Sequence, residues 1–186
     1  MNVTETIIPG VLILEPRVFT DDRGYFFESY SKRTLAELGI EADFVQDNQS
    51  MSQKGTVRGL HAQAHPFAQG KLVRVLQGSV MDVAVDARVG SPTYGRHVAV
   101  ELTAANNRQL WVPAGCLHGF VTLEDNTIFT YKVTNYYDKA SETGVVWNDP
   151  ELAIGWGINE ANAVLSAKDL ELPDFKSFKS PFTYQA

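Results

Sequence analysis

Val57-Arg58-Gly59-Leu60-His61-Ala62-Gln63 is the stretch on which the reading of this chain turns. It reads as a β-strand, and regular alternation of side chains places Val57, Gly59, His61 and Gln63 on one face. Lys71-Leu72-Val73-Arg74-Val75-Leu76-Gln77 reads as a second strand, with Lys71, Val73, Val75 and Gln77 sharing a face. Farther on, Pro113-Ala114-Gly115-Cys116-Leu117-His118 brings a second histidine behind a Pro-x-Gly turn. If these strands are neighbours, two histidines, a glutamine and a lysine point into one barrel.

The surrounding sequence supports such a barrel. β-type runs recur at short spacing over 44–49, 56–63, 71–77, 80–86, 97–102, 109–112, 119–123 and 127–133. Turn signals such as Gly78-Ser79, Ala105-Asn106-Asn107 and Glu124-Asp125-Asn126 separate several of them. In Val80-Met81-Asp82-Val83-Ala84-Val85-Asp86 the alternation predicts Met81, Val83 and Val85 on the core face. Val11 to Phe19 is apolar but broken by Pro16, which marks an edge or arm strand. Asp21-Asp22-Arg23-Gly24 is turn chemistry, and an aromatic strand, Tyr25 to Tyr30, follows it. Ser31 to Leu38 is the best helix signal, with Gly39 as its stop. Beyond Tyr136 the periodicity fades, and Pro150, Pro173 and Pro181 punctuate a tail of loops and short helices. The expectation is an all-β, antiparallel jelly roll with a few short peripheral helices. One domain over 1–186 is expected, with an N-terminal arm strand and an irregular C-terminal tail.

Composition narrows the function. The 186 residues carry a formal net charge of −6, with 44% hydrophobic and 20% charged residues. An acidic balance argues against nucleic acid or an anionic membrane as partner. A few converging Arg and Lys still suffice for a phosphorylated small molecule. The single cysteine, Cys116, permits no intrachain disulfide and reads as a small buried hydrophobe. No basic-then-apolar leader opens the sequence, and no apolar run approaches the ~20 residues of a membrane span, so a cytoplasmic protein is expected.

The runs around His61 and His118 resemble the two motifs of the cupins. Metal-binding cupins supply His, His and Glu from the first motif and another His from the second. Here the second histidine position reads Gln63 and the glutamate position reads Lys71. An ammonium repels a divalent ion where a carboxylate would hold one, so the site reads as metal-free and cofactor-free. A lysine there can instead oppose a developing oxyanion.

A closer resemblance covers about Pro9 to Asp169. Phe19-Thr20-Asp21-Asp22-Arg23-Gly24-Tyr25-Phe26-Phe27-Glu28, Phe44-Val45-Gln46-Asp47-Asn48-Gln49-Ser50, Arg58 to Gln63 and Gln69 to Val75 resemble the dTDP-4-dehydrorhamnose 3,5-epimerase family. Trp111 to Phe120, Tyr131 to Tyr137 and Leu165 to Asp169 continue the match in the family's order. The resemblance implies proton transfer at C3 and C5 of dTDP-4-dehydro-6-deoxy-D-glucose, on the route to a dTDP-L-rhamnose donor. Both protons are α to the C4 ketone, so the chemistry needs a base, an acid on the opposite face and a cation at the enolate oxygen. By resemblance His61 is the base, oriented by Asp169; Tyr131 is the acid; Lys71 steadies the enolate. Arg23, Phe26, Glu28, Gln46 and Asn48 match nucleotide-contacting positions, with Arg58, His118, Glu142 and Lys168 as further binding positions. The family also implies a homodimer in which the aromatic strand serves the partner's site.

Taken singly, these residues have plainer readings. Lys71 alone is a solvated strand-edge residue, and Tyr131, sharing a face with Phe129 and Val133, is core packing. Regular alternation sets Arg58 opposite His61: either Gly59 permits a bulge that turns Arg58 inward, or Arg58 serves outside the barrel. His118 either touches the sugar or supports His61. Ala62 stands where relatives carry a bulky aromatic, and Cys116-Leu117 replace an aromatic-small pair. Three rivals remain at this stage: an epimerase acting on one carbon only, a metal-dependent cupin enzyme and a non-catalytic sugar-binding cupin.

Overall fold

A computed structural model describes residues 1–185. Two antiparallel sheets face each other as a cupin-type jelly roll. The larger runs β1 (Asn2–Glu5), β2 (Leu12–Glu15), β11 (Gln109–Val112), β7 (Lys71–Gln77), β13 (Thr127–Val133) and β5 (Gln46–Ser52) in spatial order. The smaller runs β10 (His97–Thr103), β8 (Ser79–Asp86), β12 (Cys116–Thr122), β6 (Val57–Gln63) and β14 (Glu142–Gly144). A hairpin of β3 (Phe19–Asp21) and β4 (Gly24–Phe26) stands apart, and β9 (Arg88–Val89) pairs in parallel with β15 (Phe182–Thr183).

Between the sheets lies a core of Val73, Val75, Val80, Ala84, Leu110, Phe120 and Phe129, closed at one end. Outside the larger sheet, helix α1 (Lys32–Glu37) seats Leu35 against Leu14 and Leu72. Ser31 caps it, its Oγ accepting from the Thr34 N–H, and the Gly39 N–H donates to the Ala36 carbonyl at its end.

Several expectations shift. Met81, Val83 and Val85 face outward, not into the barrel. They are covered because the C-terminal tail lays Trp147, Trp156, Phe175, Phe178 and Phe182 over the smaller sheet, so β8 is buried on both faces. Alternation cannot tell which of two buried faces is the interior. Pro16 does end β2, but β2 is not at an edge, since β1 pairs along its other side. The aromatic strand is shorter than expected, covering Gly24–Phe26. Among the described residues no helix is long and apolar enough to cross a membrane.

Candidate active site

The open end of the barrel holds a cavity of about 620 Å³, large enough for a small-molecule ligand. His61, Lys71, His118, Tyr131, Glu142 and Asp169 all line it. They arrive from β6, β7, β12, β13, β14 and α2 (Ala167–Leu170), elements far apart in sequence and joined only by the sheet order.

Strand β6 reaches this arrangement by breaking its own alternation. Val57, Leu60 and Ala62 pack in the outer cluster, whereas Arg58 and His61 both line the cavity. The face therefore switches between Arg58 and His61, where the pairing with β12 also shifts register. Gly59 allows it: its φ is +122°, and a Cβ there would lie 2.5 Å from the Gly119 Cα. This brings Arg58 to the cavity, while Val57, expected on the face of His61, packs in the outer cluster and only edges the cavity.

His61 Nε2 lies 2.6 Å from Asp169 Oδ1. Ser166 caps α2, its Oγ accepting from the Asp169 N–H at 3.2 Å, which fixes the carboxylate's approach. Burial works against the Asp169 charge, but the bonds from His61 and Ser166 and the nearby Lys168 outweigh it and lower its pKa. An ionised carboxylate only accepts, so Nε2 donates to it, and the neutral imidazole in that tautomer offers its lone pair at Nδ1. Burial, with smaller and opposing influences from Arg58 and Glu142, raises the Tyr131 phenol, which stays protonated at neutral pH. Burial also brings Lys71 down from 10.5 to about 8, against the pull of Asp82 and Glu142.

At the rim Glu142 accepts from the Lys168 ammonium and, at 3.1 Å, from the Tyr137 hydroxyl. Burial opposes its charge, yet Lys168, His61 and Tyr137 together lower its pKa. Asn48 lines the cavity, and Gln46 lies in an adjoining hollow with His61, Lys71 and Tyr131. The Gln46 amide donates to Asn48 Oδ1 at 2.8 Å.

Three predicted residues do not join them. Arg23 pairs with Asp21 at the hairpin turn, Phe26 is 73% exposed, and Glu28 accepts from the Thr34 hydroxyl on the surface. None lines the cavity of its own chain.

Two further residues matter that sequence reasoning passed over. Tyr137 lines the cavity and holds Glu142. Asp82 is fully buried and faces His118, whose Nε2 is 3.0 and 3.1 Å from its two carboxyl oxygens. The available signal for Asp82 was its position: an acidic residue inside an apolar strand, on the same side as Val80 and Ala84.

Metal ligation, which the cupin motifs raise, does not suit these donors. Lys71 holds the glutamate position as a cation. Gln63 is committed elsewhere: its Nε2 donates to the Phe67 and Tyr136 carbonyls at 2.7 and 3.0 Å, and its Oε1 accepts from the Asp138 N–H. Cys116 is buried in the inner core with its thiol pushed up to about 12 by burial, which leaves it inert. Ala62 and Leu117 pack in the outer cluster under the tail.

A family model described as dTDP-4-dehydrorhamnose 3,5-epimerase matches residues 5–177. The chain is 54% identical over 174 residues to the dTDP-4-dehydrorhamnose 3,5-epimerase of Salmonella typhimurium, covering 93% of this chain and 94% of that one. It is similar to the crystal structure of the dTDP-6-deoxy-D-glucose-3,5-epimerase of Legionella pneumophila, solved with dTDP-4-keto-L-rhamnose bound. That match has a TM-score of 0.95 and 46% identity, over 100% of this chain and 99% of that chain. A 3'-monoepimerase from Streptomyces bikiniensis, solved with dTDP-quinovose, is also similar, with a TM-score of 0.87 and 30% identity over 92% of this chain and 87% of that chain.

Proposed function

The chain belongs to the dTDP-4-dehydrorhamnose 3,5-epimerase family, and from that membership we infer how its cavity works. It is an isomerase that inverts C3 and C5 of dTDP-4-dehydro-6-deoxy-D-glucose to give dTDP-4-dehydro-L-rhamnose, a step in making dTDP-L-rhamnose.

In our reading His61, with Asp169 behind it, removes the proton α to the C4 ketone. The C–H electron pair moves onto the carbonyl oxygen, and the Lys71 ammonium opposes the charge that forms there. Tyr131 returns a proton to the carbon from the opposite face, which inverts the centre. Two such cycles convert both carbons, and no cofactor or metal takes part. The observation that supports this best is the placement of an oriented imidazole, a neutral phenol and a half-buried ammonium around one cavity.

Gln46, Asn48, Arg58, Glu142 and Lys168 hold the sugar nucleotide from the same chain, and His118 braces the cavity floor. Arg23, Phe26 and Glu28 come from a partner's hairpin in a homodimer with shared sites. What supports that assignment is their position on an exposed hairpin away from their own cavity. The whole chain, 1–186, acts as one jelly-roll domain in the cytoplasm, with neither nucleic acid nor membrane as partner.

Incubation with the 4-keto sugar nucleotide in deuterated water tests this reading. Deuterium enters at both C3 and C5 with inversion at each. Exchange confined to one carbon favours a mono-epimerase, and exchange at neither defeats the proposal.

A further inference from the structure

Gln63 stands at the second histidine position of the cupin motif and takes no part in the chemistry above. It ends β6, two residues beyond His61, and is only 5% exposed. Its partners set the orientation of its amide. Nε2 donates to the Phe67 and Tyr136 carbonyls at 2.7 and 3.0 Å, and Oε1 accepts from the Asp138 N–H at 2.8 Å. The bonds to Tyr136 and Asp138 bracket Tyr137, one on each side of it in the chain. Tyr137 lines both the cavity and the adjoining hollow. Its hydroxyl donates to Glu142, which also holds Lys168.

Packing does little to fix this loop. Tyr136 and Tyr137 are 61% and 56% exposed, so their rings bury little apolar surface that could restrain the backbone. Anchors stand at the loop's two ends. Gln69 donates from Nε2 to the Asn135 carbonyl at 2.7 Å, and the Ala64 N–H donates to the Ser141 carbonyl at 2.7 Å. The Asp138 carboxylate serves the loop itself, accepting from the Ser141 N–H. Between the anchors, the Tyr137 N–H reaches Gln46 Oε1 at 3.4 Å, a longer contact than any that Gln63 makes. An apolar side chain in place of Gln63 would take a partner from three backbone groups at once.

We propose that Gln63 is a positioning residue for substrate binding: its amide clamps the backbone on either side of Tyr137 and so holds that ring, and the Glu142 carboxylate bonded to it, at the cavity mouth. The position that gives a metal-binding cupin its second imidazole gives this barrel its rim. Holding the loop before the ligand arrives matters, because a rim that is in place for a fraction of the time weakens apparent affinity by that fraction. His61, Lys71 and Tyr131 are set by their own strands, and His61 by Asp169, so proton transfer in the bound complex does not depend on the clamp.

The inference rests on the reading of the cavity as the sugar-nucleotide site, and the test separates the two. Gln63→Met keeps the length of the side chain and removes all three bonds. In the full-length enzyme it is expected to raise KM and the dTDP dissociation constant together by about tenfold, as for a rim in place a tenth of the time, while kcat stays near the wild-type value. Tyr137→Ala is expected to weaken dTDP similarly, and adding Gln63→Met to it costs no further affinity, because the two side chains act as one unit. Equal losses with and without Tyr137, or wild-type affinity in either single variant, overturn the proposal. So does a fall in kcat with affinity retained, which would place the effect of Gln63 at His61. A purely structural role lowers the unfolding midpoint and leaves KM unchanged, which also overturns it. A wild type that neither binds dTDP nor turns over the 4-keto sugar nucleotide defeats both readings, whereas an active wild type matched by Gln63→Met defeats only this one. If Gln63→Met does not fold, amide hydrogen exchange of the wild type decides. Protection of the Asp138 N–H without ligand supports the clamp, and exchange as fast as in an open loop overturns it.

Discussion

Lys71 carries the argument at the scale of single residues, because its ordinary and its folded behaviour differ in a measurable way. Its pKa falls from 10.5 in the free side chain to about 8 in the folded protein. Between those values the unfolded chain binds more protons, so folding stability rises with pH across the window. We expect the stability of the wild type, relative to Lys71→Met, to climb by about 1–3 kcal/mol from pH 8 to pH 10.5. Urea midpoints of the two proteins along that pH series check it, and a flat difference contradicts it. The same substitution is expected to lower kcat by roughly 10²–10³-fold at pH 7, the scale of losing one electrostatic contact to a developing oxyanion. His61, His118 and Lys71 were legible in the sequence because strand spacing and the cupin motif positions name them. The His61–Asp169 contact was not, since 108 residues separate the pair and only the family resemblance joins them. Asp82 escaped because one acidic residue in an alternating strand looks like a solvent-facing member, and the tail that buries the other face has no periodic signal.

At the scale of elements, most strands and the capped helix could be read from the sequence, and β6 shows where alternation fails. A strict period of two cannot bring Arg58 and His61 to the same side, and the switch at Gly59 does so. Gly59→Ala would add a Cβ 2.5 Å from the Gly119 Cα and 2.7 Å from the His118 carbonyl oxygen, in a residue whose φ is +122°. Strain of this kind is expected to cost roughly 2–4 kcal/mol of stability. Because β6 and β12 must separate to make room, His61 and His118 move together. Activity should therefore fall further than the folded fraction does, which circular dichroism and turnover measured on one sample can show. Wild-type stability in Gly59→Ala would mean that the strand tolerates regular geometry. The C-terminal tail is the opposite case. Its tryptophans and phenylalanines were visible as residues, but their docking on the smaller sheet follows from tertiary packing, and Trp156 fixes it further by donating from Nε1 to the Trp147 carbonyl.

At the scale of the whole molecule, our proposal is that the exposed hairpin completes the cavity of a second copy. Phe19, Tyr25 and Phe26 are 51%, 66% and 73% exposed, a concentration of aromatic surface that a partner would cover. Mixing tests the arrangement. His61→Asn and Arg23→Ala are each expected to be poorly active alone. A hybrid dimer of the two would contain one site with an intact His61 and a partner's intact Arg23, so activity should return after subunits are exchanged. If each site draws both residues from a single chain, no mixture recovers. The central claim concerns a ketone held between an imidazole and a phenol above a side-chain cation. Its most direct test is a crystal structure of this protein with a 4-keto sugar nucleotide bound. The account predicts Lys71 Nζ within hydrogen-bonding distance of the C4 oxygen, with His61 and Tyr131 on opposite faces of the ring. Lys71 turned away from that oxygen, or both proton-transfer groups on one face, would contradict it.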